Sequence, residues 1–261
     1  MTGCIKGKIS LVTGAGSGIG RATALAFARE GAKVAVVDVD FEGGRETVSK
    51  IKESGGDAIF IKTDVSQVTE VESMVKETVV AYGRLDIAFN NAGVSSPGVP
   101  AHEHSLELWM RTLDVNLTGV WLCMKYEIEQ MLKQGRGSIV NASSGAGLGG
   151  YRGGAAYSAT KHGIIGLTKT AALEYIQKGI RINAVCPGIT RTPMLERVMT
   201  RSPEMEARFV AQMPIGRLGM PEEIAEAVVW LSSDAASLVT GLAMPVDGGL
   251  SAQSIGPVTT R

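Results

Sequence analysis

A single α/β domain built on a doubly wound parallel sheet is the fold class that this chain of 261 residues predicts. Strand-like and helix-like segments alternate from end to end, the pattern of a parallel sheet covered by helices on both faces. A glycine-rich turn joins the first strand to the first helix, and the second strand closes on an acid. No charged linker, Pro/Ser-rich stretch or low-complexity tract marks an internal boundary, so residues 1–261 read as one domain.

The first strand is the apolar run Ile9-Ser10-Leu11-Val12. Thr13 to Gly20 follows, and then Arg21 to Ala28, a good helix sequence. Strand, glycine turn and helix in that order favour phosphate binding, because glycines let the backbone approach a pyrophosphate and the helix N-terminus offers free N–H groups. Gly14, Ser17, Gly18, Ile19 and Gly20 are the candidate contacts. Their spacing is Gly-x-x-x-Gly-x-Gly, since Ile19 stands where Gly-x-Gly-x-x-Gly would need its last glycine. The second strand, Lys33 to Asp38, ends about twenty residues on, where a ribose-binding carboxylate is expected. Asp38 would accept from ribose hydroxyls and repel a 2′-phosphate, and neither Val39 nor Ser17 is basic. NAD is therefore expected over NADP, with Asp40 as the alternative acid.

Further strands are read at Ala58 to Lys62, Ile87 to Phe89, Ser138 to Asn141, Arg181 to Val185 and Ala243 to Val246. Helices fill the gaps, including Val68 to Tyr82, a long one from Ser105, Ala155 to Tyr175, and Pro221 to Leu231 with proline in its first turn.

Composition narrows the function classes. Lys+Arg and Asp+Glu are both 26, which gives no electrostatic case for nucleic acid or anionic membrane. Cys4, Cys123 and Cys186 are scattered, odd in number and lack metal-ligand spacing, as expected of free thiols in a reducing compartment. His102 and His104 lack a third ligand nearby and read as loop residues, so no metal site is expected. With no secretory-type run before the first strand and no stretch near ~20 apolar residues, a soluble cytoplasmic protein is expected.

Tyr157 and Lys161 carry the chemistry. Four residues apart on a helix, they share a face. A phenol titrates near ~10 unaided, and a cation at ~4 Å in an effective dielectric of ~20 favours the phenolate by roughly 4 kcal/mol before desolvation. A general acid/base lowered by up to ~3 units is the expectation.

With these motifs the chain resembles the short-chain dehydrogenase/reductase family from about Gly7 to Gly249. The Thr13 to Gly20 turn, Asn90-Asn91-Ala92-Gly93, Asn116 within Asp114 to Leu117 and Ser144 within Asn141 to Ser144 all match in order. Tyr157 with Lys161, Pro187-Gly188 and Val246 to Gly249 complete the set. The resemblance, with the crossover rule, implies a seven-stranded Rossmann-type sheet of order 3-2-1-4-5-6-7 and a cofactor along its carboxyl ends. It implies that Asp64 and Val65 meet the adenine, and that Asn91, Ala92 and Gly93 border the cofactor. Lys161 would bond the nicotinamide ribose, and Pro187, Gly188, Ile189, Thr190 and Thr192 would hold the carboxamide end. Ser144, thirteen residues before Tyr157, would bond the substrate oxygen, with Ser143 as the alternative, and Asn116 would hold a relay water for Lys161.

The segment 190–214 is read as a mobile lid whose methionines, Met194 among them, offer adaptable apolar surface, or else pack in the core or a subunit contact. Ser95-Ser96-Pro97 and Gly147 to Tyr151 should face the substrate. Substrate contacts are thus expected from Ser95, Ser144, Tyr151, Tyr157 and Met194. Family likeness further implies a homotetramer, and the tail 251–261 lies beyond the matched region. The function expected is an NAD-dependent secondary alcohol dehydrogenase/ketone reductase acting on a small molecule. An epimerase or dehydratase with bound NAD, or a non-catalytic dinucleotide sensor, are the alternatives.

Overall fold

The computed structural model describes residues 3–95, 98–200 and 203–253. Ser96 and Pro97, expected to face the substrate, lie outside the described residues, as do positions 201 and 202 of the expected lid and 254–261 of the tail.

Seven strands form one parallel sheet in the order β3-β2-β1-β4-β5-β6-β7, as expected. They are β1 (Ile9–Thr13), β2 (Lys33–Asp38), β3 (Ala58–Lys62), β4 (Ile87–Asn90), β5 (Gly137–Ala142), β6 (Ile180–Pro187) and β7 (Ala243–Val246). β1, β4, β5 and β6 run beyond their apolar cores, because the backbone ladder continues through residues such as Thr13 and Asn90 that apolar patterning does not register.

Successive strand residues face opposite ways, and the two cores follow that alternation. Val12, Val34, Val36 and Phe89 point to one face, where α1 (Gly18–Arg29), α2 (Phe41–Glu53) and α9 (Pro221–Ser232) pack. Leu11, Ala35, Val37 and Ile139 point to the other, against α3 (Val68–Tyr82), α5 (Gly119–Gln134) and α6 (Ala155–Tyr175). Phe27 and Phe89 are wholly buried, and each such side chain contributes roughly 1.5–3 kcal/mol relative to exposure. Burial on both faces explains why the strands read as near-continuous apolar runs.

The long helix expected from Ser105 runs without interruption from Leu106 to Gln134 but changes pitch within it. α4 (Leu106–Leu113), capped by the Ser105 hydroxyl accepting from the Leu108 N–H at 3.1 Å, is joined to α5 through a wide π-turn over Asp114–Thr118. Such turns insert one residue into the helical ladder and recur at functional sites. α7 (Pro193–Met199) and α8 (Pro203–Gln212) occupy the segment expected as a lid. β7 is an edge strand with Pro245 inside it.

Candidate active site

β1 and β4 are neighbours in the sheet, whereas the chain leaves β1 toward β2. Their connections therefore diverge at the carboxyl ends, the place where open α/β sheets form a crevice. A cleft of about 1300 Å³ lies there.

At one end of it the glycine turn opens α1. Gly14 and Gly18 have φ of 64° and 52°, the left-handed region glycine enters without strain. A Cβ at Gly14 would stand 2.9 Å from the Ala92 Cα. Ser17 precedes α1 but makes no side-chain cap, so the first N–H groups of the helix are open to an anion. Gly14, Ser17, Gly18 and Ile19 line the cleft. Gly20 does not, contrary to its expected contact: a Cβ there would run into the Gly14 carbonyl, so this glycine serves close packing.

Asp38, at the end of β2, lines the same end. Its Oδ2 accepts from the Gly16 N–H at 2.7 Å and its Oδ1 from the Asp40 N–H at 2.9 Å. Arg21, the closest cation in sequence to the turn, bonds the Gly16 carbonyl within it as well as Thr47 Oγ1 at 3.0 Å and Glu46 Oε2 at 2.7 Å, and its side chain does not line the cleft. Asp64 and Val65 line the cleft past β3, and Asp64 Oδ1 accepts from the Ser66 N–H and hydroxyl.

Asn91, Ala92 and Gly93 follow β4 along the cleft. Thr13 holds them there, its Oγ1 accepting from the N–H groups of Asn91 at 3.0 Å and Ala92 at 3.1 Å. The Asn91 amide donates to the carbonyls of Thr13 and Gly14. Asn116 departs from expectation. It is fully buried and does not line the cleft. Its Oδ1 accepts from the Val94 N–H at 2.7 Å and its Nδ2 donates to the Val94 carbonyl at 2.9 Å. With both ends of the amide closed on Val94, Asn116 positions the chain leaving β4.

Tyr157, Ser144 and Lys161 converge on the cleft as expected. Ser143 and Ser144 both line the cleft: the Ser143 hydroxyl donates to the Lys161 carbonyl at 2.8 Å, tying β5 to α6, while the Ser144 hydroxyl accepts from the Ala146 N–H at 3.1 Å and stands close enough to the phenol to favour its ionised form. The expected electrostatics are corrected. Lys161 Nζ lies 5.5 Å from the centre of the Tyr157 ring and donates to the Ala142 carbonyl at 2.7 Å. Burial raises Tyr157 above its ordinary value, the Ser144 bond opposes that, and Tyr151 adds to it. Burial also pushes Lys161 down to about 8. Desolvation governs both groups, because both are taken out of water together.

Tyr151, half exposed, meets the Tyr157 ring edge-on with centroids 6.4 Å apart. Its ring lies over Gly154, where a Cβ would be 2.7 Å from Tyr151 Cε1. Ser95 and the stretch from Pro187 and Gly188 through Ile189, Thr190 and Thr192 line the cleft too. Below α7 the segment is clasped at its neck, Gly219 donating to the Ile189 carbonyl at 2.9 Å and accepting from Arg191 at 2.8 Å. Met194 lines the cleft, but Met213, near the other end of the segment 190–214, is buried in the body, so these two methionines do not act alike.

Sequence reasoning missed Arg111 on α4, Phe209 and Gln212 on α8, and Leu250, all of which line the cleft. Only tertiary packing brings them there. His104 bonds the Val99 carbonyl, and among the described residues no group of three His, Cys, Asp or Glu side chains could hold a metal ion.

Comparison with known proteins agrees with this geometry. The family model described as enoyl-(acyl carrier protein) reductase matches residues 14–251. A 2,5-dichloro-2,5-cyclohexadiene-1,4-diol dehydrogenase of Sphingobium indicum is 46% identical over 95% of this chain and 98% of its own. A cyclohexanol dehydrogenase of an Acinetobacter species is 44% identical over 95% of this chain and 96% of its own. The crystal structure of levodione reductase superposes with a TM-score of 0.92 at 39% identity, covering 95% of this chain and 99% of that one.

Proposed function

The chain belongs to the short-chain dehydrogenase/reductase family, and on that premise we propose that it interconverts a secondary alcohol on a six-membered ring with the ketone, using NAD. It is an oxidoreductase of CH–OH groups that uses a nicotinamide dinucleotide. The cleft fits that group: an uncapped helix start behind left-handed glycines suits a pyrophosphate, and Asp38 suits ribose hydroxyls. When bound, the dinucleotide supplies the hydride acceptor and, oxidised, a positive charge that favours the phenolate.

The residues do the rest. Tyr157 takes the hydroxyl proton as the C–H bond breaks and returns it in the reverse direction. Ser144, beside the phenol, bonds the substrate oxygen as charge develops on it. Lys161 places a cation under the ring, held by Ala142. Asn116, through Val94, fixes the wall that Ser95 continues. The α7–α8 segment, clasped at Gly219, covers the substrate end and excludes water.

The single observation that carries the reading is the convergence of Ser144, Tyr157 and Lys161 at the carboxyl edge of the sheet, facing the glycine turn across one cleft. Relatives named for cyclohexanol and a cyclohexadienediol point to the ring, and the aromatic wall of Tyr151 suits one. NAD is preferred because Asp38 offers a carboxylate where a 2′-phosphate would need a cation, and Arg21, bonded to the Gly16 carbonyl, Thr47 and Glu46, does not line the cleft. Exposed Trp121 and Leu173 on α5 and α6 support a subunit contact and the four-subunit assembly proposed here. No described helix is long and apolar enough to cross a membrane. A panel of cyclic and open-chain alcohols, hydroxy acids and sugars with NAD, followed by NADH absorbance, tests the proposal. Turnover confined to open-chain or sugar substrates would reject the ring.

A further inference from the structure

The carboxylate of Asp247 has no part in the chemistry above, yet it is only 8% exposed and fully engaged. Its Oδ1 accepts from the Gly249 N–H at 3.0 Å and its Oδ2 from the Ser251 N–H at 2.8 Å. The Asp247 carbonyl accepts from Leu250 at 3.1 Å. Burial works against its charge, but the bonds from Ser251, Gly249 and Leu250 prevail and hold it below its ordinary value. Gly248 and Gly249, with φ of 59° and 88°, permit the tight turn this requires.

The turn meets the cleft on several sides. A Cβ on Gly188 would stand 2.8 Å from the Asp247 Cα, so the stretch after β6 is flush against it. The Gly248 carbonyl accepts from Ile215 at 3.2 Å, and the Gln253 amide donates to the Gln212 carbonyl at 2.9 Å, at the end of α8. Leu250 lines the cleft, its Cδ2 3.8 Å from where a Cβ on Gly145 would lie. Gly145 directly follows Ser144.

We infer that Asp247 is a positioning residue for substrate selection: its carboxylate fixes the turn that holds Leu250 against Gly145, and Leu250 sets the ring size admitted beside Ser144. A glycine opposite a leucine leaves one side chain to define the gap. This assignment rests on the ring-alcohol reading above.

The test is the ratio of kcat/KM for cyclooctanol to that for cyclohexanol with NAD, which does not depend on the fraction of active enzyme. Leu250→Ala should raise the ratio about fivefold or more, since a few methylenes of pocket space discriminate at that level. Asp247→Asn should move it the same way, because an amide offers one acceptor and turns an NH2 toward the second N–H. The KM for NAD should stay within about twofold in both, as expected when only substrate-side binding changes. A ratio unmoved in Leu250→Ala, or an equal loss on both rings in Asp247→Asn, overturns the assignment. If Asp247→Asn does not fold, Leu250→Ala decides. A wild-type enzyme inactive on both rings instead sinks the ring-alcohol reading and takes this one with it.

Discussion

Lys161 stands beneath Tyr157 with its Nζ 5.5 Å from the ring centre, and its hydrogen bond goes to the Ala142 carbonyl. The lysine thus stands close to the phenol without bonding it, its proton donated instead to the backbone at the end of β5. Burial holds the phenol above its ordinary value, with Ser144 working against that rise.

Tyr157→Phe removes the proton carrier and leaves the glycine turn and Asp38 untouched. Alcohol oxidation should fall about 10³-fold, within the range general acid/base catalysis contributes. NADH affinity, measured by fluorescence titration, should change little. A variant that keeps a tenth of wild-type turnover would remove Tyr157 from its role.

The direction of reaction should set the direction of the pH profile. Oxidation needs the phenol deprotonated, and Tyr157 is raised, so oxidation should speed up as pH rises through the alkaline range. Ketone reduction consumes the same proton and should slow over that range. Lys161, pushed down to about 8, loses its charge above that value in the free enzyme. Its charge is thus available to the phenol only below about 8, so Lys161→Met should depress oxidation below that value and change it little well above. Profiles measured in both directions that run parallel would contradict this.

Cofactor choice should turn on Asp38. Asp38→Ser removes the carboxylate that accepts from Gly16 and opposes a 2′-phosphate. The NAD over NADP preference in kcat/KM should narrow about tenfold or more, a charge and hydrogen-bond effect of roughly 1.4 kcal/mol. An unchanged preference would place the discrimination elsewhere.

A buried acid away from the chemistry should show in stability. Glu127 on α5 accepts from the Asn90 amide at 2.9 Å through Oε2, while Oε1 has no partner, and burial pushes it up to about 8. An acid raised on folding contributes stability that is complete below its unfolded value near 4.5 and is lost as pH climbs through 8. Glu127→Gln keeps the shape and cannot ionise. Compared with wild type it should be more stable at pH 9 by about 2–5 kcal/mol, and show no such gain at pH 4. Chemical denaturation at the two values measures it, and an equal gain at both would refute a buried ionisation.

The sheet was legible because its strands are apolar on both faces and its turns carry glycine. The chemistry was legible because Ser144, Tyr157 and Lys161 are fixed by short spacings within two neighbouring elements. What escaped depends on distance through space. The change of pitch between α4 and α5 carries no sequence signal, since a π-turn keeps helical sequence and only the folded chain shows it. Gly20 resembled a phosphate contact, yet its role is the close approach to Gly14. The rise in Tyr157 could not be read from a Tyr-Lys spacing, because attraction is local and desolvation belongs to the whole cleft.

Pro245 has a consequence of a different kind. The carbonyls of Leu242 and Val246 turn inward and accept from the N–H groups of Ala184 and Gly188, so the alternate residue, Pro245, presents its missing N–H outward. A foreign strand seeking to zip onto this rim finds a donor absent at the middle of a four-residue run. Among the described residues no strand pairs beyond β7, and the missing donor keeps that rim from inviting runaway stacking of copies into fibres.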